Sequence, residues 1–228
     1  MDYEARLEAF YARLPLQGTT VIDVGAHLGR HAIPLARQAR VVHAFEPVPP
    51  IRHQLSERLM AQGLNNVAIY PFALSSANGF AQFQFIPNLP EESGLKARHI
   101  YNAKPDPAQP VQVQTLRLDD LMAPTLDVSF IKIDIEGGEL DMLRGSKLLL
   151  TRWRPVVAFE CGAASFLGYH ETPELIYQVF AELGFDVHSI FGDRIVDAAE
   201  FREKTYLQTF WDYVAIPHEK SDLARQFD

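Results

Sequence analysis

The sequence predicts an α/β domain built on a largely parallel sheet with a small β insertion. Two observations predict it. Apolar, β-branched runs alternate with helix-length amphipathic stretches, and the first such run ends in a glycine-bearing turn of the kind that opens a helix after a parallel strand. The 228 residues leave room for one sizeable core, and 47% hydrophobic with 22% charged residues is an ordinary globular balance.

Residues 3–14 read as an amphipathic helix. Thr19 to Val24 is β-branched and apolar enough for a buried strand that stops at Gly25. A helix is expected from His31 to Arg40, with Pro34 tolerated only in its first turn. Val41 to Phe45 forms the next strand and stops at Glu46-Pro47. Ile51 to Gln62 is a helix closed by Gly63, and Asn66 to Pro71 is a third short strand. Strand followed by helix, twice over, implies right-handed parallel crossovers.

The period then changes. Phe80 to Phe85 and Val111 to Leu116 alternate apolar and polar residues, as antiparallel strands with one wet face do. Residues 80–118 are therefore expected to be an inserted hairpin. Its connection, Ile86 to Pro110, holds five of the fifteen prolines, and a loop this long is expected to be a lid or binding loop. Strands resume at Val128 to Asp134, Pro155 to Glu160 and Phe185 to Ile190, separated by helices from Gly138 to Leu150 and from Pro173 to Gly184. Thr209 to Ile216 reads as a closing edge strand. With neither an internal repeat nor a linker, residues 1–228 are expected to form one domain, residues 1–18 being an N-terminal helical segment.

A net charge of −8 and a pI near 5.5 argue against a nucleic-acid partner and leave a small molecule as the expected one. The single Cys161 cannot form an internal disulfide. The first residues lack the basic and apolar regions of a secretory signal, and no run approaches 18 apolar residues. A cytoplasmic protein without a membrane span is the expectation, and oligomeric state is left open.

The turn Asp23-Val24-Gly25-Ala26-His27-Leu28-Gly29 is the most informative segment. Glycines at the mouth of a parallel strand let backbone approach a ligand, and the helix that follows offers free N–H groups. A dinucleotide fingerprint needs a second glycine where this chain has His27, which disfavours a nicotinamide dinucleotide. Glu46 ends the next strand 21 residues after Gly25, the position that hydrogen-bonds ribose hydroxyls. A nucleoside ligand without a pyrophosphate, S-adenosylmethionine, satisfies both features.

These segments, with Ala44-Phe45-Glu46-Pro47, Phe130-Ile131-Lys132-Ile133-Asp134-Ile135-Glu136-Gly137-Gly138-Glu139 and Leu143-Arg144-Gly145, resemble the FkbM family of methyltransferases over residues 19–160. Thr115 to Leu121 is similar to the family's Thr-Leu-Asp-Asp stretch with two extra residues, and His27 stands where the family often has Asn. The resemblance implies a seven-stranded Rossmann-like sheet with helices on both faces. It also implies S-adenosylmethionine as cofactor and O-methylation in natural-product or sugar pathways. Carried over by position, Asp23, Gly25, Ala26, His27 and Gly29 would wrap the cofactor's amino-acid end. Glu46 and Pro47 would meet the ribose, and Ala73 and Leu74 the adenine.

Because a sulfonium is a good leaving group, catalysis can be mostly positioning, with a general base or metal helping to ionise an alcohol. Asp134 and Glu136, at the carboxyl end of the fourth strand, are the catalytic candidates, and Asp134 also faces the cofactor. Together with Glu160 they offer oxygen ligands for Mg²⁺, a reading held outside the main expectation. Glu136 and Glu139 also suit a helix N-terminus, and Asp134 suits a cap. Lys96, Arg98 and Tyr101 are expected acceptor contacts in the lid, whereas His99, His170 and His188 show no partner. Two other readings stay open: a nicotinamide-dependent oxidoreductase, and a non-catalytic nucleotide-binding partner domain.

Overall fold

The computed structural model describes residues 3–96, 104–122, 126–163, 169, 171–208 and 210–227. Arg98 and Tyr101 of the expected lid, His99, His170 and the first residue of the expected last strand, Thr209, lie outside them. A seven-stranded sheet forms the centre. Its strands are β1 (Thr20–Val24), β2 (Val41–Phe45), β3 (Val67–Tyr70), β7 (Val128–Ile133), β8 (Val156–Glu160), β9 (Phe185–Ser189) and β10 (Asp212–Pro217), in the order β3-β2-β1-β7-β8-β10-β9. The first five run parallel to one another, and β10 runs antiparallel to both β8 and β9. All five residues of β1 are buried, as a continuous apolar run covered on both faces requires.

Helices α1 (Tyr3–Ala12), α2 (Ala32–Ala36), α3 (Pro49–Ala61), α4 (Leu118–Leu121), α5 (Glu139–Arg144), α6 (Lys147–Trp153), α7 (Pro173–Glu182) and α8 (Ala198–Leu207) accompany the sheet. One cluster of buried side chains runs from Leu7 to Phe227 and contains the central strands. Among the described residues no helix is long and apolar enough to cross a membrane.

The inserted hairpin gains a third strand. β5 (Gly79–Phe85) pairs antiparallel with β6 (Gln109–Leu116), and β4 (Phe72–Leu74) joins β6 in parallel. The loop after β5 folds back: Gln84 and Gly94 exchange backbone hydrogen bonds, and Ser93 Oγ accepts from the Ile86 N–H at 2.9 Å.

Three expectations are corrected and one unexpected helix is added. The last strand is an inner strand rather than an edge, and all six residues of β10 are buried. Its unbroken Tyr-Val-Ala-Ile run carries no wet face, which is the mark of an inner strand. The α-helix after β1 is confined to Ala32–Ala36, with Pro34 as its third residue. The helix expected from Gly138 to Leu150 is two helices. A Cβ on Gly145 would land on the Ser75 carbonyl oxygen, and Asp119 accepts the Leu148 and Leu149 N–H groups at 3.1 and 2.9 Å, capping α6 from another segment. Helix α8 has no counterpart in the periodicity, yet its start carries a readable box: Asp197 accepts from Glu200 N at 2.8 Å while Glu200 accepts from Val196 N at 2.7 Å.

Gly145→Ala is expected to destabilise the protein by about 3 kcal/mol or more, because backbone cannot move aside as a side chain can. Gly63→Ala meets no neighbour within 4 Å and bears only the strain of its φ of +68°, about 1–2 kcal/mol. Urea unfolding of both variants checks the contrast.

Candidate active site

In an open parallel sheet the chain leaves neighbouring strands in opposite directions at the switch point, here between β1 and β7, and the diverging loops open a crevice at the carboxyl ends. A cavity of about 260 Å³ lies there, just under the usual range of roughly 300–1,000 Å³ for small-molecule sites. Gly25, Ala26 and His27 from the turn after β1, Glu46 and Pro47 after β2, and Ala73 and Leu74 of β4 all line it. So do Asp134 and Glu136 after β7, and Glu160 at the end of β8.

Asp23 and Gly29 do not. Asp23 is buried beneath the turn, where loss of solvent raises its pKa to about 6 against the pull of His31 and Lys132. Gly29 packs on the Leu55 and Ile33 side chains, with φ at +87°.

The turn after β1 is held by close backbone contact. A Cβ on Gly25 would sit on the Asp134 carbonyl oxygen, so only glycine lets β1 and β7 open side by side. His27 takes a φ of 45°, a left-handed conformation costly for a side-chain-bearing residue. Glu46 holds it: Oε2 accepts the His27 N–H at 3.0 Å and Oε1 accepts the Val48 N–H at 2.8 Å. Burial pushes Glu46 up to about 7 despite these bonds. Burial also lowers the pKa of His27, keeping the ring neutral, and its Nε2 is sealed from solvent without a hydrogen-bond partner.

The loop after β7 is built the same way. Glu136 has φ 60° and Gly137 φ 106°, and Glu139 Oε1 accepts the Ile135 and Gly137 N–H groups at 3.2 and 3.1 Å. Glu139 is thus a loop latch buried behind the cavity, lifted by burial to about 7.

Asp134 is ionised for a definable reason. Burial would raise its pKa, but the Lys132 ammonium 3.5 Å away and a hydrogen bond from Glu160 bring it below the ordinary range. Lys132 is fully buried and also meets Asp212 at 3.2 Å; burial opposes its charge, and the two carboxylates outweigh burial. Glu160 moves the other way. Burial, then the charges of Asp134 and Glu136, lift it well above the carboxylate range, so it carries the proton it shares with Asp134.

Sequence reasoning missed the wall from α1 and named other residues for the wall from the insertion loop, which it expected as a lid. Glu4 and His31 bring α1 and the start of α2 to one end of the cavity, and Pro90, Glu91, Ser93 and Leu95 bring the insertion loop over it. Of the expected acceptor contacts, Lys96 lies over the Tyr169 ring at 4.5 Å.

The sheet order and the cavity at its carboxyl edge are those of the Rossmann-like methyltransferase fold. The family description "Methyltransferase FkbM domain" matches residues 23–187, and the chain belongs to that family. It is 26% identical over 142 residues to Methyltransferase 1 of Beauveria bassiana, covering 55% of this chain and 57% of that one. It is 27% identical over 154 residues to Methyltransferase sdnD of Sordaria araneosa, covering 55% of this chain and 59% of that one. The chain thus spans somewhat over half the length of these curated relatives.

A crystal structure of methyltransferase FkbM from Methylobacillus flagellatus superposes with a TM-score of 0.56 at 14% identity, covering 90% of this chain and 45% of that one. Magnesium protoporphyrin IX methyltransferase from Synechocystis, solved with bound S-adenosylmethionine, gives 0.51 at 11% identity, covering 94% and 77%.

Glu139→Gln tests the latch. The native state holds the Glu139 proton up to about 7, whereas the unfolded chain releases it near 4.5, so this contribution is full at low pH and is lost as pH rises through 7. The amide keeps an acceptor oxygen and cannot ionise. Unfolding free energies of variant and wild type should nearly agree at pH 4.5 and below and differ in the variant's favour by about 3 kcal/mol at pH 8. Parallel pH profiles would contradict the assignment.

Proposed function

We propose that the protein is an S-adenosylmethionine-dependent O-methyltransferase acting on a hydroxyl of a small molecule, sugar or natural-product intermediate. The observation that carries this reading is the convergence of Glu46, the Gly25–His27 turn and Asp134 on one cavity at the switch point of the sheet. The donor set suits the cofactor. Glu46 keeps lone pairs free on both oxygens for a ribose diol, and Phe72, Ala73 and Leu74 offer an apolar wall to adenine. The unpartnered Nε2 of His27 and the acidic end of the cavity suit a ligand bearing both polar groups and positive charge.

When bound, S-adenosylmethionine supplies a methyl group on a sulfonium that leaves readily. The protein's part is to orient an acceptor oxygen and take its proton. Asp134 is ionised and faces the cavity, so it accepts that proton. Glu160, already protonated, holds the Asp134 carboxylate by a hydrogen bond, and Lys132 fixes it from behind. The insertion loop across the cavity limits water access during transfer.

Calorimetric titration with S-adenosylmethionine, S-adenosylhomocysteine and NADH tests the cofactor. The two adenosyl ligands are expected to bind and NADH not to; the reverse would turn the site into a dinucleotide site. Glu46→Ala should weaken S-adenosylhomocysteine binding roughly 10- to 100-fold, and unchanged affinity would remove Glu46 from the ribose site. On the first hydroxylated acceptor that supports turnover, Asp134→Asn should lower kcat by about 100-fold or more while cofactor affinity stays within a few-fold. Full activity would end its role as base.

A further inference from the structure

The alternation in β5 and β6 gives the hairpin one wet face and one dry face, and the dry face does not join the main core. Phe83 and Val113 close instead on Ala73 of β4 and on Val48 and Ile51 at the start of α3, forming a second, separate cluster of buried apolar side chains. Leu95 of the insertion loop packs against it. Small satellite clusters commonly form under long loops. This one opens on the cavity: of its six residues named here, all but Val113 line it.

The loop that brings Leu95 there is pinned in place. Gln84 and Gly94 exchange backbone hydrogen bonds at 2.8 and 3.3 Å, so the loop runs along the edge of β5. Gly94 also lies close to the loop after β7, where a Cβ on it would stand 3.4 Å from the Glu136 carbonyl oxygen.

The cavity lining is therefore divided. Glu4, Asp134, Glu136 and Glu160 gather at one end, and the hairpin and the start of α3 present apolar side chains at the other. Glu46 stands between them. It accepts from the Val48 N–H on the apolar side and from the N–H of His27, whose ring feels the Asp134 charge, on the acidic side. Apolar surface, a carboxylate suited to a diol, then acidic groups is the order of adenine, ribose and positively charged sulfonium along S-adenosylmethionine.

We infer that the inserted hairpin is an adenine clamp, with Phe83 and Leu95 packed on the base, a role that rests on the cofactor reading above. A planar aromatic base adds its area to an apolar cluster that buries little by itself. The insertion thus serves the cofactor's nucleoside, whereas its length alone suggested a cover for the acceptor.

The full-length protein is titrated by calorimetry with S-adenosylhomocysteine and with 5′-methylthioadenosine, which keeps the nucleoside and lacks the amino-acid end. Phe83→Ala and Leu95→Ala should each weaken both ligands by a similar factor, about 10-fold or more, because the lost contact is to the part the ligands share. Phe80→Ala, on the wet face of the same strand and 73% exposed, should leave both affinities unchanged. With isotope-labelled leucine methyl groups, the wild-type complex should show a nuclear Overhauser contact between adenine protons and Leu95 that vanishes in Leu95→Ala.

If Phe83→Ala fails to fold, Leu95→Ala carries the test, since Leu95 is only partly buried and lies outside the strands. Unchanged affinities in Leu95→Ala, or absence of the adenine contact to Leu95, would overturn the clamp while leaving the cofactor in place. Weakening confined to S-adenosylhomocysteine would move the hairpin to the amino-acid end and overturn it equally. Wild-type protein that binds neither ligand would instead end the cofactor reading itself, and the clamp with it.

Discussion

The active end of the sheet depends on the approach of Gly25 to the Asp134 carbonyl oxygen, a contact that any side chain at residue 25 would occupy. It lets β1 and β7 stay paired up to their last residues, with the Asp134 N–H still donating to the Val24 carbonyl at 2.9 Å. The two loops then part immediately beyond, and the cavity is the space between them. Backbone that turns so sharply leaves N–H groups without partners, and buried N–H groups need acceptors. Glu46 supplies them to the first loop and Glu139 to the second. A single steric fact therefore accounts for a glycine, two left-handed residues and two buried glutamates.

Burying so many carboxyls in one place sets the protonation pattern. Lys132, fully buried, can balance only some of them, and it lies against Asp134 and Asp212. Asp134 is held as an anion, while Glu160 next to it, and the latches Glu46 and Glu139, are pushed toward the neutral form. Two carboxyls in contact cannot both ionise cheaply, so their pKa values part. Lys132 decides which of the two cavity-lining carboxyls keeps its charge.

Of this, the chain order carries a large share. A run buried on both faces, a glycine turn, an acidic strand end and a Lys-Ile-Asp-Ile-Glu-Gly-Gly-Glu segment are local patterns, and strand existence and order of motifs could be read from them. The box Asp197-Ala-Ala-Glu200 is equally local, but hydrophobic periodicity passes over it and α8 was not expected. The break at Gly145 was not local, since it follows from the Ser75 carbonyl and the Asp119 carboxylate, residues 70 and 26 positions away along the chain.

The sequence by itself determined that this is an α/β protein with a glycine turn at Gly25, an acidic strand end at Glu46 and carboxylates after the fourth parallel strand. Those features are fixed by residue types within a few positions of each other, because backbone conformation and side-chain alternation are short-range. Only the tertiary structure decided that β10 is an inner strand, that Glu139 latches a loop rather than facing a ligand, and that Glu4 meets His31 and Asp134. These depend on which elements pack together, and long-range packing brings into contact side chains whose spacing along the chain carries no period.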